Sequence, residues 1–384
     1  MNELCLKRDD LKIYVEEHLP VAFKQDEKYP AIIISHGFAG NCSGVEQFYC
    51  DYMSKQGYAA YCYDFCGGSF PGTGKSEGDQ TDMSIRTEMA DLKTVLNCVK
   101  GLEYIDTSRI VLMGTSQGGF VSALVAAEEK DSIWKIILVY PALTIPYDAR
   151  KGALGGASYD INNVPDKFVT PFGMPVGKRY HDEMVGFDPF VEISKFEGDV
   201  LLFQGTKDSV TNYSFAERAL NAYKPGQCRL LYVRDADHGF DENTTGNVMT
   251  VSKLFLDGKE QQLTVQVFVT GYELVEKDEE HQKGIVYFTG YCDCDKFHGA
   301  IKPGAKDTQL TIGDGPTQLY AEYTLDGIDA ENNHCTISII NTKVGDDYKP
   351  VVKTNSKLLE YLNTMDITAT LDFFNGGLTV RFFG

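Results

Sequence analysis

Positive charge is scarce in this sequence: 36 Lys and Arg stand against 55 Asp and Glu, a formal net charge of −19. So acidic a chain repels nucleic acid phosphates and anionic lipid surfaces at long range, and neither is expected as a partner. Cysteine is also sparse, with 10 in 384 residues, too few for a disulfide framework. Cys62, Cys66 and Cys98 lie in or near apolar stretches, where a reduced thiol packs as a small hydrophobic side chain, and a reducing compartment is expected. Cys292 and Cys294 form a C-x-C with no second Cys or His pair at ligand spacing, so neither a metal nor another cofactor is expected. No apolar run is long enough to span a bilayer, and the opening MNELCLKRDDLKIYVEEHLP is charged throughout with no apolar signal core. These absences lead to the expectation of a soluble, cytoplasmic chain. Internal repeats and low-complexity tracts are missing as well.

What is present is ordinary globular material, 43% hydrophobic, 12% aromatic and 24% charged, which excludes disorder. The length suits two or three domains. Up to about residue 258, short apolar runs alternate with helix-length amphipathic stretches, the pattern of a largely parallel sheet covered by helices. Strands are predicted at 31–35, 58–64, 109–114, 133–140, 200–205 and 229–233, and helices at 83–99, 117–129 and 212–222. Residues 141–194 break the alternation. They are rich in Gly, Pro and aromatic residues and too many for a plain connection, so a small inserted cap is expected. A linker is predicted at 257–262, after which residues 263–384 carry strand-like runs bounded by Gly, Asp and Asn turns such as Phe374-Asn375-Gly376-Gly377. That part is expected to be an all-β barrel or sandwich.

The strongest local signal is Gly114-Thr115-Ser116-Gln117-Gly118, a G-x-S-x-G directly after a strand and before an apolar helix. A sharp strand-to-helix turn needs small neighbours, and it lifts the serine hydroxyl above the sheet. The helix start aims N–H groups and its positive dipole end at charge developing on a bound carbonyl oxygen. A serine hydroxyl needs a base and an orienting carboxylate. Asp208 follows the 200–205 strand, and His238 follows the next strand, one helix further on. Of the seven histidines, His238 alone comes after the last strand of this domain. Asp235 and Asp237 are rival acids, but carboxylates adjacent to the base in sequence usually point elsewhere. The order Ser, Asp, His is that of the hydrolase arrangement. An oxyanion hole is expected from the N–H groups of Gln117 and of Phe38 in the His36-Gly37-Phe38 loop, with His36 bracing that loop.

Together with Tyr63-Asp64-Phe65, Gly67-Gly68-Ser69, Gly205-Thr206-Lys207-Asp208 and Ala236-Asp237-His238, these motifs resemble the α/β-hydrolase superfamily, and within it the bacterial cinnamoyl and feruloyl esterases. The resemblance covers roughly 1–258. It implies an α/β-hydrolase fold whose cap receives an aromatic acyl group, with Asp148 and Tyr180 best matching the positions that bind its phenolic hydroxyl. The cap carries Gly155-Gly156-Ala157 where such proteins often have a further polar side chain. Residues 263–384 resemble an uncharacterised bacterial β-barrel family, which implies no chemistry. The expected function is a cofactor-free serine carboxylesterase for hydroxycinnamate esters, acting on a small aromatic ester or feruloylated saccharide. Rival expectations are a peptidase or aliphatic acyl hydrolase on the same fold, and a chain whose C-terminal barrel gives it mainly a binding or homo-oligomer-forming role.

Overall fold

The computed structural model of the chain describes residues 1–278, 280–344 and 347–384, in two compact units, 1–240 and 241–384. Unit 1 opens with a hairpin of β1 (Asn2–Arg8) and β2 (Leu11–His18), closed by a two-residue turn in which Asp9 takes a φ of 54°. Its charged strands carry no apolar run, so the sequence pattern does not disclose them. Then come β3 (Tyr29–Ser35), α1 (Val45–Lys55), β4 (Ala59–Tyr63), α2 (Ile85–Lys100), β5 (Ile105–Thr115), α3 (Ser116–Glu128) and β6 (Lys135–Val139).

The cap region follows. It is built from α4 (Ile145–Lys151), a two-stranded hairpin of β7 (Lys167–Val169) and β8 (Pro175–Gly177), α5 (Lys178–Met184) and α6 (Pro189–Ile193). The chain returns to the sheet with β9 (Asp199–Gly205), α7 (Ser214–Ala222) and β10 (Cys228–Val233). The sheet order is β1-β2-β4-β3-β5-β6-β9-β10, antiparallel at β1/β2 and β2/β4 and parallel from there on. β3, β4 and β6 are almost wholly buried, because helices cover both faces, and this explains why they read as unbroken apolar runs. α2 starts on a reciprocal cap, the Thr87 N–H donating to Ser84 Oγ and the Ser84 N–H to Thr87 Oγ1, and buries Leu92, Val95 and Leu96.

Unit 2 begins with α8 (Glu242–Leu256), capped by Asp241, whose carboxylate accepts the Thr244 N–H. The boundary therefore differs from the expected linker at 257–262. α8 belongs with the β unit, its Asn247 amide donating to the Leu371 carbonyl and to Asp372, and residues 257–260 form the turn into the next strand. The strands are β11 (Gln261–Lys277), β12 (His281–Cys294), β13 (Phe297–Ile301), β14 (Lys306–Ile312), β15 (Gln318–Asp329), β16 (His334–Val344), β17 (Asp347–Thr354), β18 (Thr368–Phe374) and β19 (Gly377–Phe383). They form one barrel-like sheet in the order β11-β19-β18-β17-β16-β15-β13-β12-β14, with β11 also pairing antiparallel to β12. Asn375-Gly376 makes the β18–β19 turn, Gly376 supplying a φ of 85°. Among the described residues no helix is long and apolar enough to cross a membrane.

Candidate active site

Ser116 sits between β5 and α3 with a φ of 47°, a left-handed conformation costly for a residue with a Cβ and held by the packing around it. The flanking glycines permit that packing. A Cβ on Gly118 would lie 2.3 Å from the Ser35 carbonyl oxygen, and one on Gly114 would lie 2.3 Å from that of Gly118. The spacing G-x-S-x-G is thus the footprint of three backbone segments in mutual contact. Beneath the serine, Thr115 Oγ1 donates to the buried Glu46 carboxyl at 2.8 Å, and burial pushes that carboxyl up to about 7.

The loops after β9 and β10 are pinned together. The Lys207 N–H donates to the Ala236 carbonyl at 3.0 Å, and a Cβ on Gly205 would come within 2.5 Å of the same oxygen. This brings His238 between the other two groups, Nε2 3.0 Å from Ser116 Oγ and Nδ1 2.9 Å from Asp208 Oδ2. The Asp208 carboxylate has no solvent exposure and also accepts from Gln204 Nε2 and from the N–H groups of Val210 and Thr211. Burial pushes its carboxyl up, but the hydrogen bonds from His238 and Thr211 outweigh that and hold it below the ordinary value. The rival acids are occupied elsewhere: Asp237 accepts from Ser209 and from the His238 N–H, and Asp235 pairs with Lys207 at 2.7 Å.

The loop expected to supply Phe38 packs against the serine, a Cβ on Gly37 lying 3.2 Å from that of Ser116. His36 braces it: Nδ1 faces the Gly37 carbonyl at 2.7 Å and Nε2 accepts the Phe65 N–H at 3.1 Å. Phe38, Ser116, Gln117, Asp148, Tyr180 and His238 all line one cleft of about 650 Å3. Asp148 is half-buried in its wall, and burial raises its carboxyl. Tyr180 differs from the expectation. Its hydroxyl donates to Gln117 Oε1, so it reaches the cleft mainly as a ring, stacked near Phe38 at 6.3 Å between centroids.

Sequence reasoning missed three supports. Gln117 Nε2 donates at 2.8 Å to Glu88, a fully buried carboxyl that burial drives well above its ordinary value, so Tyr180, Gln117 and Glu88 form one buried chain. Tyr140, with a φ of 38°, lays its ring 4.6 Å from the His238 imidazole. Gln204 and Thr211 hold Asp208 in place. Glu88, Tyr140, Gln204 and Thr211 stand in no motif named above, and only Gln117, inside the G-x-S-x-G, gave a signal for its neighbours.

Among the described residues, two buried donor groups lie within 4.8 Å internally, His18 with Cys50 and Cys62, and Glu16 with Cys42 and Cys62. Hydrogen bonding and burial raise the Cys42 thiol, and burial raises that of Cys50, so an ion there would have to displace tightly held protons. Cys292 and Cys294 approach with sulfurs 3.7 Å apart.

An eight-stranded, mostly parallel sheet with a serine at a strand-to-helix turn, and an aspartate and a histidine after later strands, is the arrangement of the α/β-hydrolase fold, and unit 1 has that fold. The comparisons agree. A family model described as serine aminopeptidase, S33, matches residues 26–159. The structure of Est1E from Butyrivibrio proteoclasticus with ferulic acid bound is similar at a TM-score of 0.61 and 26% identity, over 66% of this chain and 98% of that one. An uncharacterized 31.7 kDa protein from the traX-finO intergenic region of Escherichia coli is 30% identical over 108 residues, 27% of this chain and 36% of its own length. Prolyl endopeptidase FAP of Bos taurus is 25% identical over 264 residues, 65% of this chain and 32% of its own length. The chain thus spans about a third of the length of the curated relatives it matches.

Proposed function

We propose that the chain is a serine carboxylesterase for esters with a planar aromatic acyl group of the hydroxycinnamate type. The observation that carries this reading is the cleft beside Ser116, walled by the rings of Phe38, Phe172 and Tyr180 and holding one half-buried carboxyl, Asp148. A flat aryl group fills such a slot. A carboxyl raised by burial suits a hydrogen bond with a phenolic hydroxyl. The ferulic acid bound to Est1E supports the same acyl group.

In this mechanism Ser116 Oγ attacks the ester carbonyl while His238 Nε2 takes its proton. Asp208 keeps the proton on Nδ1 and stabilises the imidazolium, and the N–H groups of Phe38 and Gln117 receive the oxyanion. His238 then protonates the leaving alcohol, and water attacks the acyl-enzyme with the roles reversed. Each step needs only this chain's own groups and water. The buried chain from Tyr180 through Gln117 to Glu88 holds the residue whose N–H faces the oxyanion.

A peptidase is the second reading, favoured by the family model and by the likeness to prolyl endopeptidase FAP. A panel of methyl ferulate, 4-nitrophenyl butyrate and a prolyl 4-nitroanilide separates them. kcat/KM for methyl ferulate is expected to exceed the other two by about tenfold or more, and Ser116→Ala should abolish all turnover with the fold intact. A preference for the anilide or the butyrate would remove the aromatic reading.

A further inference from the structure

The inward positions of unit 2 alternate along its strands and are apolar through most of the sheet. Along β16 the series Cys335, Ile337, Ile339 is buried among other apolar side chains, and the next inward position is Asn341. Its neighbour β15 presents Leu319, Ala321 and Tyr323 to the same space. Beside these residues lies a cavity of about 230 Å3, walled by Val267, Phe288, Leu371, Leu378 and Val380 among others. At its mouth Val269 is 48% exposed and Phe373 68% exposed, while at its inner end Tyr323 is 6% and Asn341 7% exposed. It is a cup open at one end.

Two polar atoms in that cup are buried without a hydrogen-bond partner, the Tyr323 hydroxyl and Asn341 Oδ1. A buried polar group left unpaired is costly, and an apolar residue of similar size at either place would avoid the cost. The carbonyl-type oxygen of Asn341 can only accept, so its missing partner is a donor. The tyrosine hydroxyl can both donate and accept. Among the described lining residues Asp307 is the only charged one. Its oxygens already accept from the Tyr320 N–H and from Gln309 Nε2, and among the described residues no cation lines the cup to receive an anionic ligand.

We propose that the cup of unit 2 binds an uncharged, hydroxyl-bearing aromatic molecule, a substituted phenol, with its ring against the apolar wall and its hydroxyl at Asn341 and Tyr323. Size supports it: an apolar cavity of about 150 Å3 accommodates benzene, so this one has room for a ring with a short side chain. Phe288 and Tyr323, packed edge-to-face at 5.5 Å between centroids, together with Tyr348 and Phe373 give the lining an aromatic character that an alkyl chain would not use. The cup is a second site, made wholly of residues outside the hydrolase domain.

The test is calorimetric titration of the full chain with 4-propylphenol, 4-propylbenzoate and 1-octanol. The phenol is expected to bind with a Kd on the order of 100 μM, and the benzoate about tenfold more weakly for want of a counter-charge. Leu371→Trp, which fills the cup, should abolish that binding. Asn341→Leu should weaken it by about fivefold while raising the melting temperature, since it removes an unpaired buried group. That opposite movement of affinity and stability is not produced by mere loss of structure. Phenol binding unchanged in both variants, or no phenol binding at all, overturns the proposal, as does benzoate binding as tightly as the phenol. Octanol binding more tightly than the phenol overturns the aromatic assignment.

Discussion

Replacing Asp208 by Asn exchanges one carboxylate oxygen for an amide nitrogen, and the hydrogen bonds around that side chain dictate the consequence. In the native site Oδ1 accepts the N–H groups of Val210 at 2.9 Å and Thr211 at 2.7 Å. Oδ2 accepts from His238 Nδ1 at 2.9 Å, Gln204 Nε2 at 2.9 Å and Thr211 Oγ1 at 2.7 Å. An asparagine keeps its oxygen on the two backbone donors and turns its NH2 toward the side-chain donors. His238 Nδ1 must then accept, which moves the ring proton to Nε2, where it faces Ser116 Oγ and can no longer take the serine proton. The expected loss in kcat is about 10,000-fold, roughly 5 kcal/mol of transition-state stabilisation, the size found when the same tautomer error is made in a serine protease. Gln204 and Thr211 also lose an acceptor, for about 1–3 kcal/mol of stability. Steady-state hydrolysis of methyl ferulate gives the first quantity and urea unfolding the second. Asp237→Asn should cost about tenfold or less in kcat, because that carboxylate braces the loop and does not touch the imidazole. A folded Asp208→Asn variant keeping more than about a tenth of kcat would refute the reasoning and move the orienting role to another carboxylate.

The packing beneath the serine gives two further expected outcomes. Gly118→Ala would place a Cβ 2.3 Å from the Ser35 carbonyl oxygen and 2.4 Å from that of His36. Backbone on both sides cannot yield easily, so a loss of about 3 kcal/mol in urea unfolding, followed by Trp134 fluorescence, is expected; a loss under about 1 kcal/mol would show that the turn can open. Glu46 is the pH-dependent case. Its folded carboxyl is raised from 4.5 to about 7 by burial, so the native state holds the proton more tightly than the unfolded chain. Its contribution is present below about pH 4.5, declines as pH rises, and is gone above about 7, a fall of at most about 3 kcal/mol. Glu46→Gln should therefore gain melting temperature relative to the parent as pH goes from 5 to 8. A difference independent of pH would mean that Glu46 is ionised throughout.

Much of this protein was legible in its sequence, for identifiable reasons. β3, β6, most of β9 and the 110–115 end of β5 are buried on both faces and largely apolar, so their positions could be read to within a few residues. Ser116 announces itself because its turn demands Gly114 and Gly118. The order of Asp208 and His238 follows from chain direction in a parallel sheet, whose loops emerge at one edge. The β1–β2 hairpin escaped because it is charged, α1 because polar Glu46 and Ser54 share its buried face, and α8 because its first two turns are polar. β13, β14 and β17 escaped because they are short or polar.

What the sequence by itself determined was local: which segments must be buried, where the backbone must turn sharply, and which residue types stand at strand ends. Tertiary structure alone decided which side chains meet. It put the Tyr180 hydroxyl on Gln117 instead of leaving it free, placed Glu46 under Thr115 and Tyr140 against His238, and assigned α8 to the β unit. It also left Asn341 and Tyr323 unpartnered at the closed end of a cup. Such encounters join residues far apart in the chain, and although burial leaves a periodic trace in the sequence, the choice of which buried side chains meet does not.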